Sequence, residues 1–391
     1  MEKLILKKDS NKKVRFGHLW VFSNELVSIP KLAPGSVIEL FDQYDKNYGK
    51  GFYNPNSLIS VRLLKTNGEI DIDFFRNRIL KAKSHREELL PELNNYRLVF
   101  GESDYLPGLI IDKFENSFVF QILSAGMELH KDMIKSAVLE IFPETDYILS
   151  KANSKLREME GLELNDEILF GTDPGIIHTY DNGIKLDISL SGGQKTGYYL
   201  DQRFNRYEIR KFVKNKKILD CYTNQGGFAL NACYAGADKV TAVDTSLNAL
   251  ELADNNAKLN GFNIDFVHSD VFDFLNEAVL NGLKWDVVIL DPPAFTKNKK
   301  SIGVASAAYS KLNKLGFQVL YDGGYLVTSS CSQHITEEDF AGFIRKEASK
   351  QEKFIKLVYR GTQPADHPVL LSMPETSYLK FFIFKAENLQ S

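Results

Sequence analysis

The chain has 391 residues, too many for one compact core and in the range of two or three domains. Its 43% apolar and 25% charged residues describe an ordinary globular protein; no apolar run is long enough to span a membrane and no signal peptide is read, so a cytoplasmic location without a membrane partner is expected. Three cysteines without framework spacing (Cys221, Cys233 and Cys331) argue against structural disulfides and a zinc site, and the net charge of −3 argues, as an average, against a polyanion partner.

Residues 1–72 read as a small β-domain. Leu4-Ile5-Leu6, Ser36 to Leu40 and Leu58 to Leu64 are apolar runs separated by turn signals at Pro34-Gly35, Asn54-Pro55-Asn56 and Asn67-Gly68. Local charge departs from the average here: residues 1–20 hold six Lys/Arg against two acids. Lys12, Lys13 and Arg15 therefore make a candidate phosphate-contacting patch; the alternative is a strand edge guarded by lysines. Charge alone does not separate the two.

Residues 73–190 read as a connector helix, from Asp73 to about Pro91, followed by an α+β domain. Tyr96 to Phe100, Leu109 to Asp112, Phe118 to Leu123, Tyr147 to Ser150 and Ile184 to Ser189 are predicted strands. Glu128 to Phe142 is a predicted helix burying Ile134, Val138 and Ile141.

From about Gly192 to the last residue, 191–391, strands and helices alternate. Ile218 to Asp220, Val240 to Asp244, Asp265 to His268, Asp286 to Leu290 and Gly324 to Thr328 predict a doubly wound, mostly parallel sheet. Tyr378 to Lys385 is expected to enter it antiparallel at the edge. Ligands of such sheets bind beyond the carboxyl ends of the strands. Asp220, Asp244, Asp270, Asp291 and Cys331 all fall at or just past such ends.

The segment Asp220-Cys221-Tyr222-Thr223-Asn224-Gln225-Gly226-Gly227-Phe228 follows the first of these strands and opens a helix. It lacks the first glycine of the dinucleotide fingerprint and begins with an acid, which suits a ligand with a cationic amino-acid part. Tyr222, Thr223, Asn224, Gly226, Gly227 and Phe228 would line it. Asp244, at the end of the second strand, can accept both ribose hydroxyls. Asp270, after Ser269, can take the adenine amino group. Together these describe an S-adenosylmethionine site; a strand-end Asp taken singly is more often a helix N-cap, and NAD remains the competing cofactor.

Asp291-Pro292-Pro293-Ala294-Phe295 follows a hydrophobic strand. The prolines leave carbonyls unpaired toward a pocket, and Phe295 can stack on an inserted base; the plainer alternative is a rigid turn with a buried Phe. Cys331, in Ser329-Ser330-Cys331-Ser332, fits a nucleophile for a pyrimidine, with Asp291 binding the ring's nitrogen edge. A thiolate added at carbon 6 of cytosine makes carbon 5 nucleophilic toward a methyl sulfonium. The alternative for Cys331 is a small buried apolar residue, the reading adopted for Cys221 and Cys233. An unassisted thiol has a pKa of about 8.5, and the sequence does not show what lowers it.

The ordered set of motifs resembles one family, the 23S ribosomal RNA cytosine-5 methyltransferases built from a PUA domain, a central α+β domain and a Rossmann-like class I catalytic domain. Arg15 to Phe22 is similar to its PUA opening, and Gly101-Glu102-Ser103 through Leu109 to its central hairpin. Thr196 to Arg203 is similar to its lead-in to the catalytic domain, and His367-Pro368-Val369 with Tyr378-Leu379-Lys380 to its C-terminal end. The resemblance implies S-adenosylmethionine contacts at Asp220, Asp244, Asp270 and Asp291, a nucleophile at Cys331, and 23S rRNA as the partner, with the basic N-terminus on phosphate. A homodimer is compatible with it. Related enzymes carry a second cysteine beside the Asp-Pro motif; Ala294 occupies that neighbourhood here, so product release needs another group. A purine-nitrogen methyltransferase with Cys331 as bystander, and a non-catalytic RNA-binding assembly factor, are the competing functions.

Overall fold

The computed structural model describes residues 1–191, 197–296 and 301–389. Gly192 and Thr196, which mark the start of the third region and of its lead-in motif, lie outside them. The chain forms two compact units. One comprises Met1–Ile177, Ser189–Leu200 and Ala365–Thr376; the other comprises His178–Ile188, Asp201–Pro364 and Ser377–Ser391.

The first unit contains two five-stranded sheets. In the N-terminal one the spatial order is Glu2–Ile5, Ser36–Phe41, Asn47–Tyr53, Val61–Leu63 and Trp20–Val21. The run expected from Leu58 shortens to Val61–Leu63. Asn54 N donates to Ser60 O at 2.9 Å, so the Asn-Pro-Asn turn carries the chain outward and leaves Leu58 exposed. Asn47–Tyr53 did not read as a strand because Gly49 and Gly51 interrupt its apolar pattern. A Cβ on Gly51 would lie 2.8 Å from Arg62 O on the neighbouring strand, and only glycine permits that approach.

The connector helix runs Ile72–Leu89, capped by Asp71, whose side chain accepts from Phe74 N at 2.9 Å. It buries Phe75, Ile79 and Ala82, and also Arg86. Arg86 is held by a two-pronged bond to Asp104, at 2.6 and 2.7 Å. The single helix expected over 128–142 is two, Ala125–Leu129 and Lys131–Ile141. They part at His130, whose ring contacts Gly126 O at 2.7 Å. The second sheet is ordered Glu167–Gly171, Tyr147–Ser150, Ser117–Ile122, Leu109–Phe114 and Asn95–Phe100. Its parallel pair, Ser117–Ile122 with Tyr147–Ser150, is joined through those helices, as a parallel connection requires.

The second unit is a seven-stranded α/β sheet. In sequence order its strands are Lys217–Cys221, Lys239–Asp244, Asp265–His268, Trp285–Leu290, Leu320–Ser330, Lys353–Gly361 and Lys380–Asn388. In space they run third, second, first, fourth, fifth, seventh, sixth. The first five are parallel, so their carboxyl ends share one edge. The last strand is antiparallel, as expected, but lies one place in from the edge, between Leu320–Ser330 and Lys353–Gly361. The reason is legible afterwards in Phe381-Phe382-Ile383-Phe384. All four are buried, so both faces of that strand are covered, which an edge position does not provide. Each buried Phe contributes about 1.5–3 kcal/mol. Lys353–Gly361 is the true edge; its exposed Phe354, Leu357 and Val358 are interspersed with Lys356 and Arg360.

The hairpin Ile177–Asp181 and Ile184–Ile188 ends in Asp181, a buried carboxylate. It accepts from Arg203 Nε at 2.6 Å and Arg206 Nη2 at 2.8 Å. This ties the helix Arg203–Glu208, and with it Gln202, to the hairpin. Among the described residues no helix is long and apolar enough to cross a membrane.

Candidate active site

The cofactor loop is strained where it turns. Tyr222, Asn224 and Gly226 take the left-handed conformation, with φ of 63°, 50° and 80°. Two of the three are not glycine, so neighbouring bonds must impose the shape. Thr223 N donates to Val243 O at 3.1 Å, Gly226 N to Thr223 O at 2.9 Å, and Asn224 N to Asp244 Oδ2 at 2.9 Å. Gly226 then caps the helix Gly227–Tyr234.

Asp220 lies beneath this loop, with no exposed surface. Its Oδ2 accepts from Thr223 Oγ1 at 2.6 Å and Ala229 N at 3.0 Å. Its Oδ1 has no partner among the described residues. Burial pushes the carboxyl pKa up to about 7, and the neighbouring Asp291 adds to the rise. A buried acceptor in this state fits a ligand's ammonium group, which would restore its charge.

Asp244 is oriented by two backbone amides, Asn224 N on Oδ2 and Ser246 N on Oδ1, each at 2.9 Å. A carboxylate has about four lone-pair sites, so it retains capacity for a pair of hydroxyls. Asp270 caps the helix Val271–Leu280, its Oδ1 accepting from Phe272 N at 2.8 Å and Asp273 N at 3.2 Å. The plainer alternative for a strand-end acid therefore accounts for one of its oxygens. Ser269 N donates to Asp244 O at 3.1 Å, tying the ends of the second and third strands together. Phe228 is buried and stacks on Phe381, with ring centroids 5.9 Å apart.

Asp291 and Cys331 come from adjacent strands, the fourth and fifth. Leu290 pairs with Thr328, so Asp291 is level with Ser329. Ser329 Oγ and Gln202 Nε2 (2.8 Å) both donate to Asp291 Oδ1. Burial raises the Asp291 carboxyl to about 6, although the residue as a whole keeps some exposed surface. Pro292 is buried and Pro293 exposed. Phe295 packs on Tyr309, with centroids 4.7 Å apart, and lies 6.3 Å from Phe272. Its ring is partly buried in this aromatic group, as the plainer alternative for it describes.

Cys331 is half-buried, with Sγ 4.0 Å from Pro292 O. Its neighbours Ser330 and Ser332 both bond the Tyr309 hydroxyl, each at 2.9 Å, which pins the backbone on either side of the thiol. Cys221 is fully buried, and burial raises its thiol pKa well above the ordinary value. Cys233 is pushed up to about 12 by the same cause.

Three residues to which the sequence assigned no role join the site: Gln202 and Lys380, which lie within quoted motifs, and Tyr309. Lys380 is 8% exposed, and its Nζ donates to Ser332 O at 2.7 Å. None belongs to a strand-end motif on the parallel strands, so only the register of the last strand and the helix placements bring them in. In the other unit, Lys12 and Arg15 are exposed on the short helix Asn11–Arg15. Lys13 is paired with Glu25 at 2.8 Å and lies over the Phe22 ring, so its charge is locally balanced.

Residues 4–66 match the PUA-like domain family, and residues 165–385 match the S-adenosylmethionine-dependent methyltransferase family. Ribosomal RNA large subunit methyltransferase I of Klebsiella pneumoniae (strain 342) is 38% identical over 389 residues, covering 97% of each chain. Two solved structures share the fold. One, a methyltransferase complexed with SAH, has a TM-score of 0.86 at 24% identity and covers 98% of this chain and 100% of that one. The other, an S-adenosylmethionine-dependent methyltransferase from Streptococcus mutans, has a TM-score of 0.85 at 23% identity with the same coverage. With 38% identity along nearly the whole of both sequences and both domain matches in order, the chain belongs to the PUA-containing, S-adenosylmethionine-dependent family of ribosomal RNA large subunit methyltransferase I.

Proposed function

We propose that the protein methylates carbon 5 of a cytosine in large-subunit ribosomal RNA, with Cys331 as the nucleophile. The observation that carries this reading is the juxtaposition of Cys331 and Asp291 on adjacent strand ends, with Sγ 4.0 Å from the carbonyl of Pro292. In this reading residues 1–72 grip RNA, using Lys12 and Arg15 on phosphates while Lys13 steadies the helix through Glu25. Residues 73–190 connect, and residues 191–391 carry the chemistry.

S-adenosylmethionine, when bound, supplies an electrophilic methyl group. Asp220 would hold its ammonium and Asp244 its ribose, while the free oxygen of Asp270, beside Ser269, would take the adenine amino group. Asn224, Gly226 and Gly227 let the backbone approach the ligand; Tyr222, Thr223 and Phe228 wall the loop. The remaining steps fall to the chain. Cys331 adds to carbon 6 of the ring, and the electron pair moves toward carbon 5. Asp291, held near neutral pH by burial, can give a proton to the ring's nitrogen edge as charge develops there. After carbon 5 is methylated, its proton passes to solvent water, the C–H electron pair re-forms the ring double bond, and the C–S bond breaks to release the thiolate. Pro292 and Pro293 hold the loop rigid, and Phe295 backs it.

Nucleoside mass spectrometry of rRNA from cells with and without the gene tests the assignment. Loss of 5-methylcytidine from large-subunit RNA is expected. Loss of a methylated purine instead, or an unchanged profile, sinks it. RNA carrying 5-fluorocytidine should trap a covalent adduct on Cys331, because fluorine cannot leave as a cation.

A further inference from the structure

A thiol must lose its proton to act, and the site holds a group suited to taking it. The fifth strand ends at Ser330, and the antiparallel last strand opens opposite it, with Lys380 paired to Ser330. Lys380 is 8% exposed, and its Nζ reaches the carbonyl of Ser332, the residue after Cys331, at 2.7 Å. Taking an ammonium out of water disfavours the charged form; burial lowers the Lys380 pKa to about 8, while negative charge on Cys331 draws it back up. Among the described residues, two other titratable groups beside the thiol, Tyr309 and Asp291, do not suit this work. Tyr309, on the helix Ile302–Gln318, is held neutral by burial, and its hydroxyl is engaged by Ser330 and Ser332. Asp291, at the end of the fourth strand, is an acid, and its charge would raise a nearby thiol's pKa. Lys380 thus combines a position beside the nucleophile's backbone with an amine that is easily neutral.

We propose that Lys380 is the positioning residue that activates Cys331, its amine accepting the thiol proton and its ammonium then holding the thiolate. This rests on the reading of Cys331 as nucleophile. In the step the S–H bond breaks, its electron pair stays on Sγ, and the proton forms the third N–H bond of the ammonium. The carbonyl of Ser332 keeps Nζ in place in both states. A free amine and a free thiol differ in pKa by about two units in the amine's favour; burial of the lysine narrows that gap, so the proton is shared near neutrality and not locked on nitrogen.

The test is the pH dependence of Cys331 alkylation by iodoacetamide in the full-length protein, read peptide by peptide so that Cys221 and Cys233 do not contribute. The wild-type thiol is expected to titrate about one unit or more below a free cysteine. K380M and K380Q, both checked for binding of S-adenosylhomocysteine, are expected to slow alkylation about tenfold near neutral pH and to converge with wild type in alkali. K380R, which keeps the charge, is expected to retain most of the depression. Superimposable profiles for wild type and K380M overturn the proposal, and so does a wild-type Cys331 that titrates like a free cysteine, with no variant needed. The outcome is separable from the nucleophile reading. A Lys380-dependent titration without any adduct on 5-fluorocytidine RNA upholds the ion pair and removes the covalent role. An adduct together with a Lys380-independent titration does the reverse.

Discussion

Replacing Asp220 with asparagine separates the charge of the buried carboxylate from its hydrogen bonds. Oδ2 is satisfied by Thr223 Oγ1 and Ala229 N, whereas Oδ1 meets nothing among the described residues. The folded pKa is raised to about 7, against about 3.9 in an unfolded chain. A raised acid holds its proton more tightly when folded. Its contribution to stability is therefore fully present below about pH 4 and is lost as pH rises through about 7. Three units at about 1.4 kcal/mol each make the loss about 4 kcal/mol by about pH 8. Asparagine retains an oxygen for Thr223 and Ala229 but puts an unpartnered N–H₂ where Oδ1 was, which costs about 1–3 kcal/mol. Urea unfolding should therefore show D220N less stable than wild type by about 1–3 kcal/mol near pH 4 and more stable by about 1–3 kcal/mol near pH 8. The same variant should bind S-adenosylhomocysteine at least about tenfold more weakly by calorimetry, since an ammonium loses its anion. Wild-type binding should weaken as pH falls below about 7. Stability curves that fail to cross would refute the buried-charge argument; unchanged affinity would refute the ammonium contact.

Arg86→Ala removes the counter-ion of the largely sequestered Asp104 carboxylate, leaving it only the Phe100 amide among the described residues, and should cost about 3–5 kcal/mol in urea unfolding of the full-length protein; a loss under 1 kcal/mol would mean the pair is not sequestered. Gly226→Ala forces a side chain into the left-handed region with its Cβ 3.2 Å from that of Ala253. About 1–2 kcal/mol of stability should be lost, together with cofactor affinity, as read by thermal melts with and without S-adenosylhomocysteine. Tyr309→Phe strips the shared partner from Ser330 and Ser332 and should cost about 1–3 kcal/mol. It should also blunt adduct formation on 5-fluorocytidine RNA, and full-rate trapping would show that the clamp is dispensable.

The central parallel strands Lys217–Cys221, Lys239–Asp244 and Trp285–Leu290 were legible because they are largely buried and carry an acid at or just past their carboxyl ends. Asp265–His268 matches its expected bounds, the second and fourth strands begin one residue earlier than expected, the first is longer by one residue at each end, and the fifth extends beyond its expected bounds to Leu320–Ser330. The acids at those ends were readable for the same reason, since a parallel sheet delivers every carboxyl end to one edge. What escaped depended on long-range pairing. Lys353–Gly361 intersperses lysines and an arginine with exposed apolar residues, so no two-fold pattern marks it as a strand until the Phe-rich strand lies beside it. Lys380 falls in the expected edge strand and the C-terminal motif but carried no role there, because its burial comes from a strand ending at Ser330, fifty residues earlier in the chain. Gln202 bonds Asp291 from the start of a helix that Arg203 and Arg206 anchor on Asp181, a placement with no local sequence signal. The break at His130 was masked by apolar spacing that continues through it.

The interior place of the strand Lys380–Asn388 has a consequence for synthesis. The fifth and sixth strands leave the ribosome before the strand that separates them. Until residue 388 has emerged, the sheet holds an open slot whose two walls cannot pair with each other in their final geometry. Phe381, Phe382 and Phe384 are buried in that slot, and the same strand carries Lys380 opposite Ser330. A nascent or truncated chain would then carry Asp220, Asp244 and Asp291 beside an exposed seam. The order of translation thus leaves the sheet open until its last strand has been made.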